Sequence, residues 1–233
     1  MDIKGSKVLL TGGSSGIGLA TAKALVNKGA NLIITGRDKE KLVKAAQELN
    51  CKYILMDASN LKEIEGQVKE AIDMLGGIDV LINNAGIGTF CLVEDVSLEA
   101  FLEVYNTNVF GLAMISKEVI KHFKKQNKGN IINIGSTAAT KGFAHGTVYA
   151  SSKFAVRGMT ECWQQELRKF NVRVMLVNPS EVPTAFNQES REERALVDNK
   201  LHPEDIAHMI IANLELNDRG FVPELGVWAT NPY

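Results

Sequence analysis

The chain has 233 residues, 45% of them hydrophobic and 23% charged, with a formal net charge of −1, a balance that fits one ordinary globular domain spanning 1–233 with a sizeable core. Near-neutrality without a Lys/Arg-rich run excludes the electrostatic footprint of a nucleic-acid binder and makes a small molecule the expected partner. Cys51, Cys91 and Cys162 stand singly without a Cys-x-x-Cys pair, and no signal-like or membrane-length apolar segment is present, so a cytoplasmic protein with no structural metal and no membrane partner is expected.

Short β-branched runs at 8–10, 32–34, 53–55, 80–82, 131–134 and 172–177 are predicted strands. Between them lie helix-like stretches at 16–29, 38–49, 60–75, 98–126 and 148–170. A helix over 204–216 and a short strand near 221–222 follow. Strands alternating with helices predict an α/β fold: a doubly wound parallel sheet of about seven strands with helices on both faces.

The first strand runs into Thr11-Gly12-Gly13-Ser14-Ser15-Gly16-Ile17-Gly18 and then into a helix. Gly12 permits a tight turn, Gly16 lets backbone approach a pyrophosphate, and Gly18 allows close helix packing, while the helix N-terminus favours phosphate charge. The spacing Gly-x-x-x-Gly-x-Gly is a variant of the common dinucleotide fingerprint. At the end of the second strand the chain reads Thr35-Gly36-Arg37-Asp38. An arginine here accepts a 2′-phosphate, whereas a carboxylate binds a ribose 2′-hydroxyl. Asp38 is the competing carboxylate, and it is read instead as the N-cap of the helix at 38–49.

The fourth strand leads to Asn83-Asn84-Ala85-Gly86, and the long helical stretch carries Asn106-Thr107-Asn108. Asparagine is an indifferent helix residue, which suggests a polar role inside the packed layer. The fifth strand ends at Gly135-Ser136, on the sheet edge where open α/β folds bind ligands. Tyr149-Ala150-Ser151-Ser152-Lys153 then places a phenol and an ammonium at i and i+4 on one helix face. A nearby cation favours the phenolate, lowering a pKa that is otherwise ~10, as acid-base catalysis near neutrality requires.

Taken together, Thr11-Gly12-x-x-x-Gly16-Ile17-Gly18, Asn83-Asn84-Ala85-Gly86, Asn108, Ser136 and Tyr149-x-x-x-Lys153 resemble the short-chain dehydrogenase/reductase family over about residues 5–185. The resemblance implies a Rossmann fold and an oxidoreductase that moves hydride between NADP(H) and a ketone, an aldehyde or the corresponding alcohol. It implies cofactor contacts from Gly12, Ser14, Ser15, Gly16, Ile17, Gly18, Arg37, Asp57, Ala58, Asn84, Ala85, Gly86, Tyr149, Lys153, Pro179, Val182 and Thr184. The family's NAD-type carboxylate falls at Gly36, which has no side chain, and Arg37 matches the NADP-type basic residue. Asp57 matches the family's adenine contact, with a strand-end turn aspartate as the alternative.

By the same resemblance Ser136 polarises the substrate carbonyl, Tyr149 delivers the proton, Lys153 binds ribose hydroxyls and lowers the tyrosine pKa, and Asn108 holds a water near the lysine. Where the family has Pro-Gly after the sixth strand, this chain has Pro179-Ser180-Glu181, which questions that loop's backbone conformation. The stretch 180–202, crowded with Glu181, Glu189, Arg191, Glu192, Glu193 and Arg194, reads either as a substrate-side lid or as a solvated loop with a short helix. The family pairs the long helix and the Tyr149 helix across a homodimer or homotetramer. The apolar stripe of Phe101, Val104, Tyr105, Leu112, Ile115 and Val119, with Leu102, Val109, Phe110 and Met114 beyond it, is wider than one buried face needs. A 3-oxoacyl-[acyl-carrier-protein] reductase is a narrower alternative, against which the acidic 181–194 stretch argues. A non-catalytic NADP(H)-binding sensor is the alternative of another class; it would be expected to have lost part of the Ser136, Tyr149 and Lys153 set.

Overall fold

Val8, Leu9 and Leu10 are all fully buried, because helices cover both faces of the strand that carries them. The computed structural model of the protein describes residues 1–186 and 194–231. Its strands are β1 (Lys7–Thr11), β2 (Asn31–Gly36), β3 (Lys52–Leu55), β4 (Val80–Asn83), β5 (Gly129–Ile134), β6 (Val172–Pro179) and β7 (Glu224–Val227). They form one parallel sheet in the order β3-β2-β1-β4-β5-β6-β7. β4, β5 and β6 are buried at every position, as continuous apolar strands covered on both faces must be.

The helices are α1 (Gly16–Asn27), α2 (Lys39–Leu49), α3 (Ile64–Leu75), α4 (Leu98–Tyr105), α5 (Leu112–Gln126), α6 (Thr147–Leu167) and α7 (Pro203–Glu215). α1, α2 and α7 close one core, where Leu25, Leu42 and Ile210 meet Val8, Leu10 and Ile34. α3, α5 and α6 close the other, where Val68, Val119 and Leu167 meet Leu9, Leu81 and Ile131. Local sequence sets several ends. Asp38 caps α2 by accepting the Lys41 N–H at 3.1 Å, Gly76 ends α3 at φ +66°, and Asp205 accepts the His202 N–H at 2.8 Å to start α7. The buried Arg173 in β6 donates to the carbonyls of Leu214 and Leu216, satisfying the C-terminal end of α7.

Three elements depart from expectation. The stretch 98–126 is not one regular helix, because a π-helical turn over Asn106–Gly111 separates α4 from α5. Within that turn Gly111 admits the carbonyl of Ala58, which would lie 2.0 Å from any Cβ placed there. The last strand is displaced from 221–222 to Glu224–Val227, because Asn213 of α7 takes both backbone groups of Val222, donating to its carbonyl and accepting its N–H at 3.1 Å each. Finally, 180–186 and 194–202 carry no helix, and the rest of the stretch read as a lid or as a loop with a short helix lies outside the described residues. Glu189, Arg191, Glu192 and Glu193 lie outside them.

Candidate active site

The chain leaves β1 for β2 on one side and later returns to place β4 on the other, so the crevice between β1 and β4 lies at the carboxyl edge of the sheet. A cleft of about 1120 Å³ opens there. Every residue expected to touch a dinucleotide lines it: Gly12, Ser14, Ser15, Gly16, Ile17, Gly18, Arg37, Asp57, Ala58, Asn84, Ala85, Gly86, Pro179, Val182 and Thr184, together with Tyr149 and Lys153. Ser136 lines it as well, whereas Asn108 lies beneath its floor at 1% exposure.

The glycine loop is shaped by close approach. Gly12 has φ +67°, and a Cβ there would lie 2.9 Å from the Ala85 backbone, while one at Gly18 would lie 2.0 Å from the Gly12 carbonyl. Asn84 ties the loop to β4, donating through Nδ2 to the carbonyls of Thr11 at 3.0 Å and Gly12 at 2.8 Å. Thr11 Oγ1 returns the tie by accepting the N–H groups of Asn84 and Ala85 at 3.1 Å. Below it, Asn83, Asn133, Ser116 and Thr160 form a buried hydrogen-bond chain across β4 and β5. The N-terminus of α1 faces the cleft with no side-chain cap from Ser15 and no acid in its first turn. That cradle, too tight for any Cβ and positive at its helix end, fits a pyrophosphate.

At the β2 end, Gly36 offers no carboxylate, and a Cβ there would lie 3.3 Å from Ser14 Oγ. The Asp38 carboxylate is turned to its capping bond, and exposed Arg37 stands at the cleft edge. Asp57 faces the cleft but folds into a local turn, its Oδ1 accepting from the Ser59 N–H at 2.9 Å and hydroxyl at 2.7 Å.

Around Tyr149 the polar groups converge. Ser136 Oγ accepts the Ala138 N–H at 3.1 Å, and its hydroxyl acts on Tyr149 in the direction that lowers the phenol's pKa. Lys153 is buried at 5% exposure, donates to the Ile134 carbonyl at 2.9 Å and has its Nζ 5.8 Å from the centre of the Tyr149 ring. The Asn108 side chain is engaged by protein groups. Its Oδ1 accepts the Ile87 N–H at 2.9 Å and its Nδ2 donates to the Ile87 carbonyl at 2.9 Å and to Ser152 Oγ at 3.1 Å. It therefore clamps the chain after Gly86 to α6.

One electrostatic expectation is corrected. Burial raises the Tyr149 pKa, opposed by the Ser136 hydroxyl, and burial lowers that of Lys153 to about 8. Desolvation, not attraction between the two groups, is the leading influence on each. Tyr149 is thereby held as the neutral phenol.

The loop after β6 is regular despite its departure from Pro-Gly. Ser180 has no positive φ, and its N–H donates to the Val227 carbonyl at 2.9 Å, extending the pairing of β6 with β7. Thr184 stands against Gly16, whose Cβ would lie 3.1 Å from it. Glu181 pairs with Lys200 and, at 3.6 Å, with Arg194, whose guanidinium also donates to the carbonyls of Thr184 and Val182. His145 is exposed and absent from the cleft lining; its carbonyl accepts the Cys91 N–H at 3.0 Å.

Sequence reasoning missed the aromatic side chains that the loops bring to the cleft. Phe90, Phe143, Phe186 and Trp228 all line the cleft. The available signal was the placement of large aromatics in loops that follow strands, where no core requires them. Asn178 was also missed; at 3% exposure its Oδ1 accepts the Ser136 N–H.

Fold and cleft together define an α/β protein built for a dinucleotide. Residues 6–195 match the short chain dehydrogenase family, and the chain belongs to it. It is 33% identical over 225 residues to the NADP-dependent 3-hydroxy acid dehydrogenase of Schizosaccharomyces pombe, covering 90% of this chain and 86% of that one. The alcohol dehydrogenase of Thermococcus sibiricus, solved with 5-hydroxy-NADP, superposes with a TM-score of 0.90 at 28% identity over 97% of both chains. A 3-ketoacyl-(acyl-carrier-protein) reductase from Brucella melitensis, solved with NADH, gives 0.88 at 26% identity over 99% of this chain and 100% of that one. The short-chain oxidoreductase class expected from the motifs is thus shown.

Proposed function

We propose that the protein is an NADPH-dependent carbonyl reductase, reversible as an alcohol dehydrogenase. The observation that carries this reading is the convergence of Ser136, Tyr149 and buried Lys153 on one end of the cleft whose other end is the glycine loop. NADPH supplies the hydride when bound. The chain's own residues do the rest. Ser136 offers its hydroxyl to the carbonyl oxygen, and Tyr149, kept protonated by burial, gives its proton to that oxygen as negative charge develops. Lys153, fixed on the Ile134 carbonyl, is placed to hold ribose hydroxyls, and Asn108 secures the Ile87 backbone between them.

Support for NADPH over NADH comes from Arg37 at the cleft edge and from the capping engagement of Asp38. Exposed Leu98, Leu102, Phe110 and Met114, with Phe154 on α6, support a homodimer through the α4–α5 and α6 faces. The three free cysteines suit a reducing cytoplasm, and among the described residues no helix is long and apolar enough to cross a membrane.

A second reading, reduction of 3-oxoacyl groups on an acidic carrier, gains from one feature. Glu181 at the mouth is paired with Arg194 and Lys200, so it repels an acidic partner less than its sequence suggests. The sensor reading has no such feature, since Ser136, Tyr149 and Lys153 are all present and convergent. The test is NADPH oxidation against ketones, aldehydes, diketones, sugars and acyl thioesters, with Tyr149→Phe as control. Turnover that survives in the control, or none at all, defeats the proposal.

A further inference from the structure

Three loops deliver rings to the proton-donating phenol. Phe90, after β4, has its ring centre 5.2 Å from that of Tyr149, and Phe186, after β6, stands 5.6 Å away. Phe143, after β5, packs 6.0 Å from Phe90. These separations lie in the range where aromatic rings attract. Two glycines make the arrangement possible. A Cβ at Gly88 would lie 2.8 Å from the Phe90 ring and 3.0 Å from the Phe186 ring, and one at Gly146 would lie 2.8 Å from the Phe143 ring. The rings are therefore seated by the backbone, and they keep surface in the cleft: Phe90 is 36% exposed and Phe143 49%.

The charges along the cleft are disposed differently. Arg37 and Lys41 sit at the β2 end, three strands along the sheet from β5, which leads to Ser136. Lys153 is engaged with Ile134, and Arg194 with Glu181, Val182 and Thr184. Lys141 is exposed at the rim, where a single solvated cation holds a carboxylate weakly. Among the described residues, no buried cation faces Tyr149 from the aromatic side. A substrate carboxylate placed there would be desolvated without a partner, whereas an apolar ring would gain both burial and stacking.

Resting on the carbonyl-reductase reading, we propose that the substrate carbonyl carries an uncharged aryl group, which lies against Phe90 and Phe186, and that 3-oxo acids with a free carboxylate are poor substrates. The Schizosaccharomyces pombe relative is named for 3-hydroxy acids, so this assigns the present chain a different preference.

The test compares kcat/KM in NADPH-dependent reduction of 1-phenylpropane-1,2-dione, butane-2,3-dione and 3-oxobutanoate. The first two share the reacting group and differ in the ring. Expected is a preference of at least about tenfold for the aryl dione over both others, a factor one well-packed ring supplies. Phe90→Leu and Phe186→Leu should each cut the aryl-to-aliphatic ratio of kcat/KM about threefold or more. The ratio is internal to each variant and independent of the folded fraction. Equal or better use of 3-oxobutanoate, or a ratio unchanged in both variants, overturns the proposal. If none of the three is reduced while another member of the panel is, the proposal is overturned; if nothing in the panel is reduced, the reductase reading falls, and calorimetric titration of the aryl dione into NADP⁺-saturated protein decides this one. Binding weakened by Phe186→Leu sustains it, and absence of binding overturns it.

Discussion

Asn178 Oδ1 accepts the backbone N–H of Ser136 at 3.1 Å, joining the end of β6 to the serine that lines the cleft with Tyr149. The same amide donates through Nδ2 to Glu224 Oε1 at 2.8 Å, and Glu224 pairs with Arg157 of α6 at 3.2 Å. Gly135 makes room for it, since a Cβ there would lie 2.1 Å from Asn178 Oδ1. Asn178→Ala is expected to lower kcat about tenfold with NADPH affinity within about twofold, because it unfastens Ser136 without touching the glycine loop. Leaving the half-buried Ser136 N–H unpaired should also cost about 1 kcal/mol of stability, read by chemical denaturation.

Tyr149→Phe keeps the ring between Phe90 and Phe186 and removes only the proton. Turnover is expected to fall by about 10²–10⁴-fold, while NADPH binding, followed by cofactor fluorescence, stays unchanged. Substantial residual activity in the variant would assign the proton to another group.

Arg37→Ser removes the cation at the β2 edge. KM for NADPH should rise about tenfold or more, the scale of a lost charge-assisted hydrogen bond, with KM for NADH little altered. A parallel rise for both cofactors in steady-state kinetics would mean that Arg37 does not read the 2′ position.

Lys153 has its pKa lowered from 10.5 to about 8 by burial, so over that interval the unfolded chain binds more protons than the folded one. Its contribution to stability therefore rises with pH from about 8 to 10.5: the buried cation is a burden below that window, and the burden is relieved as the native state sheds the proton. The shift corresponds to roughly 3 kcal/mol, an upper figure for a group that also hydrogen-bonds Ile134. Lys153→Met should melt higher than the parent at pH 7, and that advantage should shrink between pH 8 and 10.5 in thermal scans.

Phe110→Glu places a charge among the exposed apolar side chains of Leu102 and Met114 and should shift the protein from dimer to monomer in light scattering at micromolar concentration, with the circular dichroism spectrum preserved. A monomeric parent protein would remove the basis for the dimer.

The strands and the motif residues were legible because each carries a local signature: β-branched runs for β1 to β6, glycine spacing before α1, Tyr149 and Lys153 four apart. What depended on distant partners was not. The position of β7 is decided by Asn213 reaching Val222, a contact between elements that no window of sequence contains. The pKa directions at Tyr149 and Lys153 follow from how deeply the cleft buries them, which outweighs the charge pairing that adjacency suggested. Phe90, Phe143 and Phe186 converge from loops far apart in the chain, with Gly88 and Gly146 lying close against their rings, so their chemistry was visible and their meeting was not. The Ser180 departure carried no structural penalty, because that residue pairs with Val227 as an ordinary extension of the strand.

The π-helical turn over Asn106–Gly111 holds Asn108 where it can grip Ile87 and Ser152. Such a turn amounts to one extra residue carried inside an α-helix, and one residue is worth about 100° of helical rotation. This stretch should accordingly accept changes of side chain more readily than a change of length. Losing a single residue would let α4 and α5 fuse into a continuous helix with their inward stripes still in line, and would swing the asparagine away from the site.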